Sequence, residues 1–456
     1  MIACLGYQFI LKTGESGIKI DIWHSIVVYF MESNSLKIRE DAAKKPTLMP
    51  IDKRYLLVLN IKSFYDSKGS RYLDLMWAKD LTQHFKYLKN FTLASPCVRE
   101  TPPENTIEVD SEPSFADAKF IDLPSANSLA KAILLLPATV AQLWGAIASS
   151  DIVHSGVAGW PIPMAWLVTP IVLIQRKPYL LLVESAPWRL PPGTPASIKA
   201  KIQAYVYETL NRWCINSADL TIFTQAEYQQ SLLTKRHKQS HIIHASWIDE
   251  ENIISEAEAK KIWHEKLSAS PKQLKILFAG RLHPDKGLLT LLEAMKILDE
   301  QNIAVKLDIL GEGELLSNCQ AASKAMQKSV QIELLGTIPY GREFFGRVQQ
   351  YHAVVVPSTS DEQPRIVYDA YSQAVSVLAN NTAGLRDCIE NGITGSIANC
   401  NDPVALANLL KQSGENLNLL QNMGMTGLKY ARSLTHEEMH RQRWQLLSIM
   451  LEQSKK

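Results

Sequence analysis

No two cysteines in this 456-residue chain stand in a CxxC arrangement. The six present, Cys4, Cys97, Cys214, Cys319, Cys388 and Cys400, are scattered, which argues against a disulfide scaffold or a structural zinc site and fits a reducing compartment. Net charge is equally scant, at +2, so no global basic field points to nucleic acid. A secretory leader is not legible, because no charged n-region precedes a clean apolar core. Two apolar stretches, 132–149 and 156–174, approach the minimum length for crossing a bilayer. The first holds Pro137 and Gln142. The second holds Pro161, Pro163 and Pro170 and runs into Arg176-Lys177-Pro178, which favours a buried helix leading into a strand. Short-period repeats are missing. So is a dinucleotide fingerprint: Gly311-Glu312-Gly313-Glu314 has Leu316 where the third glycine belongs, which disfavours a nicotinamide oxidoreductase.

What is present is alternation. At this length two or three domains are expected. Residues 1–52 fit poorly with the rest and read as a disordered or loosely docked extension. From Tyr55 onward short apolar runs such as 55–59 and 179–183 alternate with helical patterns at 71–89, 128–148 and 198–217, which implies a parallel sheet. A polar, proline-bearing stretch at 99–119 reads as a long loop. Residues 53–250 form one doubly wound unit and 251–272 the connection. Residues 273–415 form a second unit, with strands at 275–279, 305–310, 332–335, 353–356 and 375–379. Residues 416–456 are helices that pack back toward the first unit. The fold class is α/β, with two Rossmann-like domains facing each other and a ligand in the cleft between their sheet edges.

The chemistry concentrates in the second unit. The run Phe278-Ala279-Gly280-Arg281-Leu282-His283-Pro284-Asp285-Lys286-Gly287 follows a strand and opens a helix. Arg281 offers a planar fork of donors and Lys286 a mobile point charge, a combination suited to a diphosphate. Gly280 and Gly287 allow close backbone approach, while Gly311 fits a tight turn as well as a ligand contact. After the apolar run 353–356, Asp361 and Asp369 stand eight apart. Their spacing allows both to face one sheet end, where carboxylates suit sugar or ribose hydroxyls; a capped, solvated helix start is the plainer reading. Thr382 and Gly384 precede a helix and are candidates to lie near phosphate. In the first unit His154 ends a strand and is either a polar group in the cleft or a satisfied structural histidine.

Taken in order, FAGRLHPDKG, LDILGEGE, ELLGTIPY, VVVPSTSDEQPRIVYDAYSQAVSVLAN and GLRDCIENGITG resemble the donor half of a retaining GT-B glycosyltransferase of family four (glycosyl transferases group 1). The resemblance is strong over roughly 272–412 and weaker over 55–250. It implies a GT-B fold, a nucleotide-diphosphate sugar donor, front-face transfer with retention, no obligatory metal and no cofactor. It implies that Arg281 and Lys286 hold the donor diphosphate and that the paired acids fall on Asp361, near the donor sugar, and Asp369, on the ribose. Each aspartate is one methylene shorter than the usual glutamate, and Glu362 is an off-register substitute for the first. Gly280, Gly311, Glu362, Arg365, Ile366, Thr382 and Gly384 join the implied donor site. Glu184 stands where members often carry a histidine, so Glu184 and His154 are the acceptor-side candidates.

The expected activity is transfer of a sugar to an acceptor the sequence does not name, in the cytoplasm. Polysaccharide biosynthesis fits, and Lys235, Arg236 and Lys238 are candidates for peripheral contact with the inner membrane surface. The alternatives are a catalytically silent sugar-nucleotide-binding protein and a GT-B-like nucleotide-sugar epimerase.

Overall fold

The structure is a computed structural model. It describes residues 48–453 except Trp160, 191–195, Lys235, Arg236, Lys238, 270–272 and Gln327. The N-terminal extension therefore lies almost wholly outside the described residues, as do the three basic residues expected to meet a membrane.

The first lobe holds ten strands: β1 (Ile51–Val58), β2 (Ser63–Tyr65), β3 (Arg71–Asp74), β4 (Leu88–Arg99), β5 (Thr106–Glu108), β6 (Lys119–Pro124), β7 (Ile152–Gly156), β8 (Tyr179–Val183), β9 (Leu220–Phe223) and β10 (Ser240–Ile242). They run in the order β10-β9-β8-β7-β1-β4-β2-β3-β5, with β6 also pairing with β4. Its helices are α1 (Leu75–Phe85), α2 (Leu129–Ala148), α3 (Met164–Gln175), α4 (Ile198–Ser217) and α5 (Ala226–Leu232). The helical pattern expected from Arg71 begins only at Leu75. Arg71 and Leu73 alternate inward as a strand, and the Asp74 carboxylate then caps α1 by accepting from Met76 and Trp77 N–H at 3.0 and 3.2 Å. The expected long loop at 99–119 contains β5. Helix α2 is long and apolar enough to cross a membrane by length and composition. Its buried residues, Thr139, Leu143, Ala146 and Ile147, are spaced at helical steps, and the last three join the lobe's core.

The second lobe has α6 (Glu256–Ser268), β11 (Leu274–Ala279), α7 (Leu288–Glu300), β12 (Val305–Leu310), α8 (Leu316–Ala325), β13 (Val330–Gly336), α9 (Arg342–Val348), β14 (Ala353–Val356), α10 (Ile366–Ser372), β15 (Ser376–Asn380), α11 (Ala383–Cys388), β16 (Gly395–Ala398), α12 (Pro403–Glu415) and α13 (Leu417–Ala431). All six strands pair parallel in the order β13-β12-β11-β14-β15-β16, the 3-2-1-4-5-6 pattern of a dinucleotide-type sheet. Both faces are covered. Ile276, Val355 and Leu378 point into one core, and Leu277, Val354 and Val377 into the other. That two-sided burial is why these strands read as unbroken apolar runs. The stretch expected to be a plain connection contains α6. Ala259 and Trp263, four apart, are fully buried, and Trp263 Nε1 donates to Ala374 O at 2.8 Å. Dense charge on the other faces hid this two-residue stripe.

The last helix, α14 (His436–Gln453), returns to the first lobe and lies against α1 and β9. Asp80 of α1 accepts from Nε2 of both His436 and His440 at 3.0 Å, with Arg443 Nη1 4.0 Å away. Burial alone would push the Asp80 carboxyl up, but His440 and the two imidazole N–H bonds pull it well below the usual range. An ionised carboxylate only accepts, so Nε2 carries the proton in both rings, and His440 Nδ1 is left to accept from the Tyr87 hydroxyl at 3.2 Å.

Candidate active site

Strand order reverses between β11 and β14, and there the connections leaving the carboxyl ends of β11, β12, β13 and β14 enclose a cavity of about 540 Å³. Two glycines set the approach of these loops. Gly287 has φ +71°, and a Cβ there would fall 1.9 Å from Pro357 O. Gly311 has φ +142°, and a Cβ there would fall 1.9 Å from Gly280 O. Neither position tolerates a side chain without moving backbone. The Lys286 loop is bound to the β14 connection through Asp285 O, which accepts from Thr359 N–H at 2.9 Å and Ser358 Oγ at 3.1 Å.

Eight of the expected residues line this one cavity: Gly280, Arg281, Lys286, Gly311, Glu362, Arg365, Ile366 and Asp369. Lys286 Nζ lies 3.4 Å from Glu362 Oε2 and 3.5 Å from Asp285 Oδ2. Arg365 sets its guanidinium 4.4 Å from the centre of the Trp247 ring. Asp369 sits in the first turn of α10, buried, with Oδ1 accepting from the Tyr340 hydroxyl at 2.8 Å. Burial raises its carboxyl to about 7, against the opposing pull of the Tyr340 bond, Arg365 and Lys79.

Other expectations are corrected. Asp361 is exposed and does not line the cavity; its carbonyl, not its carboxylate, makes a contact, accepting from the Tyr228 hydroxyl at 3.4 Å. The carboxylate beside Lys286 belongs to Glu362, because the turn after β14 rotates successive side chains apart. Thr382 and Gly384 also stand outside the cavity wall. Gly384 backs the turn instead, where a Cβ would come within 2.5 Å of Glu362 O. His154 does not end its strand but sits in the middle of β7, buried, with Nδ1 2.8 Å from the Tyr55 hydroxyl. Desolvation holds it well below the usual histidine range. It packs with Arg443 and Leu447 of α14, apart from this cavity. Glu184, at the carboxyl end of β8, is open to solvent yet crowded by protein, which raises its carboxyl.

Sequence reasoning missed Tyr340, Gln363, Met76 and Lys79. Gln363 joins the lobes: its Oε1 accepts from Ala245 N–H at 2.8 Å, and its Nε2 lies 2.7 Å from His244 Nδ1. Met76 enters the cavity wall from the first lobe. Lys79 Nζ stands 5.3 Å from the Tyr340 ring and 2.7 Å from Asp249 Oδ2. Tyr340 had one legible signal, its place just past a strand at the same sheet edge as Arg281 and Asp369.

Two facing α/β lobes with this cavity at the second lobe's switch point define a GT-B fold. Residues 259–430 match the family described as Glycosyl transferases group 1, so the second lobe carries a domain of that kind. Among solved structures, Anabaena HepE in complex with UDP superposes with a TM-score of 0.62 at 13% identity, covering 87% of this chain and 99% of that one. Sucrose-phosphate synthase of Thermosynechococcus elongatus gives 0.62 at 16% identity, covering 88% and 99%. Among curated proteins, an uncharacterised glycosyltransferase of Methanocaldococcus jannaschii is 25% identical over 162 residues, 36% of this chain and 44% of that protein. The D-inositol 3-phosphate glycosyltransferase of Streptomyces coelicolor is 26% identical over 165 residues, 34% and 36%. The chain spans less than half the length of these curated relatives.

Proposed function

We propose that the protein is a glycosyltransferase that moves a sugar from a nucleotide-diphosphate donor to an acceptor with retention of configuration. The carrying observation is that Arg281, Lys286 and Asp369 line a single cavity at the switch point of the second sheet. The bond from the sugar's anomeric carbon to the diphosphate oxygen breaks, the acceptor oxygen bonds to the same face, and its proton passes to the departing phosphate. Charge grows on the leaving diphosphate, where Arg281 and Lys286 stabilise it, an effect worth about 3 kcal/mol for one well-placed donor. Asp369 accepts from ribose hydroxyls and Glu362 faces the donor sugar. The UDP complex of the HepE structure supports a nucleotide diphosphate as the ligand class. Five described cysteines are free, which supports a cytoplasmic setting.

The exposed position of Asp361 favours a second reading, a catalytically silent sugar-nucleotide binder. Incubating the purified chain with UDP-sugars separates the two. The proposal predicts slow donor hydrolysis or transfer that Lys286→Ala and Arg281→Ala each reduce by about two orders of magnitude. Donor binding without any turnover supports the silent reading. Epimerised donor formed without acceptor identifies the epimerase alternative.

A further inference from the structure

Thirteen of the twenty-one exposed large apolar side chains among the described residues lie between Leu129 and Trp213, in less than a fifth of the chain. They are not scattered. On α4, Ile198, Ile202, Tyr205, Leu210 and Trp213 fall close to one helical stripe that faces away from the buried Cys214 and Ile215. On α2, Leu129, Ile133, Leu134 and Trp144 are exposed, Leu134 at 79%. Helix α3 packs between these two and exposes Leu173 and Ile174 at its end. Monomeric proteins seldom leave so much apolar surface together without a partner.

Exposed charge on these helices and at their ends is cationic. Lys131, Arg176, Lys199 and Lys201 are exposed. Glu208 is the one carboxylate on α2, α3 and α4. It is already engaged, by Arg189 Nη2 at 2.7 Å and Trp188 Nε1 at 2.7 Å. An apolar face with Trp and Tyr, bordered by cations and without a free carboxylate, has the composition of an interfacial surface.

We propose that the outer face of α2, α3 and α4 docks on a lipid bilayer carrying anionic headgroups, with the apolar side chains entering the interface and the cations meeting the headgroups. The docking needs nothing from the donor cavity. If the transfer proposed above holds, it has a consequence. The three helices rise from the carboxyl ends of β6, β7 and β8, so a lipid-borne acceptor would arrive at the acceptor sheet's cleft edge.

The test is flotation of the full chain with vesicles of phosphatidylcholine alone or mixed with phosphatidylglycerol. Wild-type protein is expected to float with the mixed vesicles, far less with phosphatidylcholine alone, and less as salt rises. Ile202→Glu with Trp213→Glu, and separately Lys199→Glu with Lys201→Glu, are expected to weaken flotation about tenfold. All four positions are exposed, and UDP affinity measured in parallel reports an intact fold. Wild-type protein that stays in the aqueous fraction with both vesicles overturns the proposal, as do variants that float like wild type. Self-association abolished by Ile202→Glu, without flotation, assigns the face to a second copy and also overturns it. Loss of transfer activity with flotation intact touches only the enzymatic reading.

Discussion

The Tyr340 hydroxyl donates to Asp369 Oδ1 at 2.8 Å, joining the connection after β13 to the first turn of α10 inside the second lobe's cavity. An aspartate lacks the reach of a glutamate, and this bond fixes where the shorter carboxylate points. It also opposes the burial that raises Asp369 to about 7.

If Asp369 holds the ribose as proposed, its ionised carboxylate accepts both hydroxyls, and UDP affinity should rise as pH climbs through about 7. Asp369→Asn should flatten that profile. Tyr340→Phe removes the bond that holds the carboxyl down, so the midpoint should move upward and affinity at neutral pH fall by about tenfold. Calorimetry between pH 5.5 and 8.5, a span set about that midpoint, checks both.

Asp369 also has a stability signature. Its folded carboxyl holds a proton more tightly than an unfolded aspartate does. Its contribution to stability is therefore full at acid pH and is lost as pH rises through about 7. Asp369→Asn should stabilise the fold at pH 8 by on the order of 2 kcal/mol and by little at pH 4. Denaturant melts at the two pH values measure this.

The lobes and most of the cavity were legible because two-sided burial writes apolar runs, and loops at strand ends carry polar residues of recognisable type. Arg281 and Lys286 were legible in that way and line the cavity, and so does Asp369, which the residues alone read more plainly as a solvated helix start. Asp361 was not legible, because spacing in a chain cannot tell which way a side chain turns in an irregular connection. His154, expected at a strand end, sits in the middle of β7 and is the structural histidine that the sequence left as its other reading. The partners that fix these residues, Tyr340 for Asp369 and α14 for Asp80, lie 29 and 356 positions away in sequence. No local pattern announces such a pairing.

Glu362 and Asp361 should separate cleanly. Glu362 stands 3.4 Å from Lys286 Nζ, whereas Asp361 is exposed and outside the cavity. Glu362→Gln should lower donor turnover by about tenfold or more, and Asp361→Asn should leave it near wild type. Equal losses in both would contradict the assignment.

Asp80 is the anchor of α14. Asp80→Ala leaves Arg443 buried without its counter-charge and removes the acceptor of two imidazoles. A loss of roughly 3–5 kcal/mol is expected. Because the Asp80 carboxyl is depressed, its contribution is present above the unfolded aspartate range and lost as pH falls through its lower folded value. The mutant deficit measured by urea melts should therefore shrink toward strongly acid pH.

Arg281 and Lys286 are proposed to grip a diphosphate in the second lobe. The direct measurement is calorimetric titration of UDP, and of uridine as the phosphate-free control, into wild type, Arg281→Ala and Lys286→Ala. UDP binding should weaken about tenfold or more in each variant, with the weaker uridine binding unchanged. Wild-type UDP affinity in both variants, with folding intact, would contradict it.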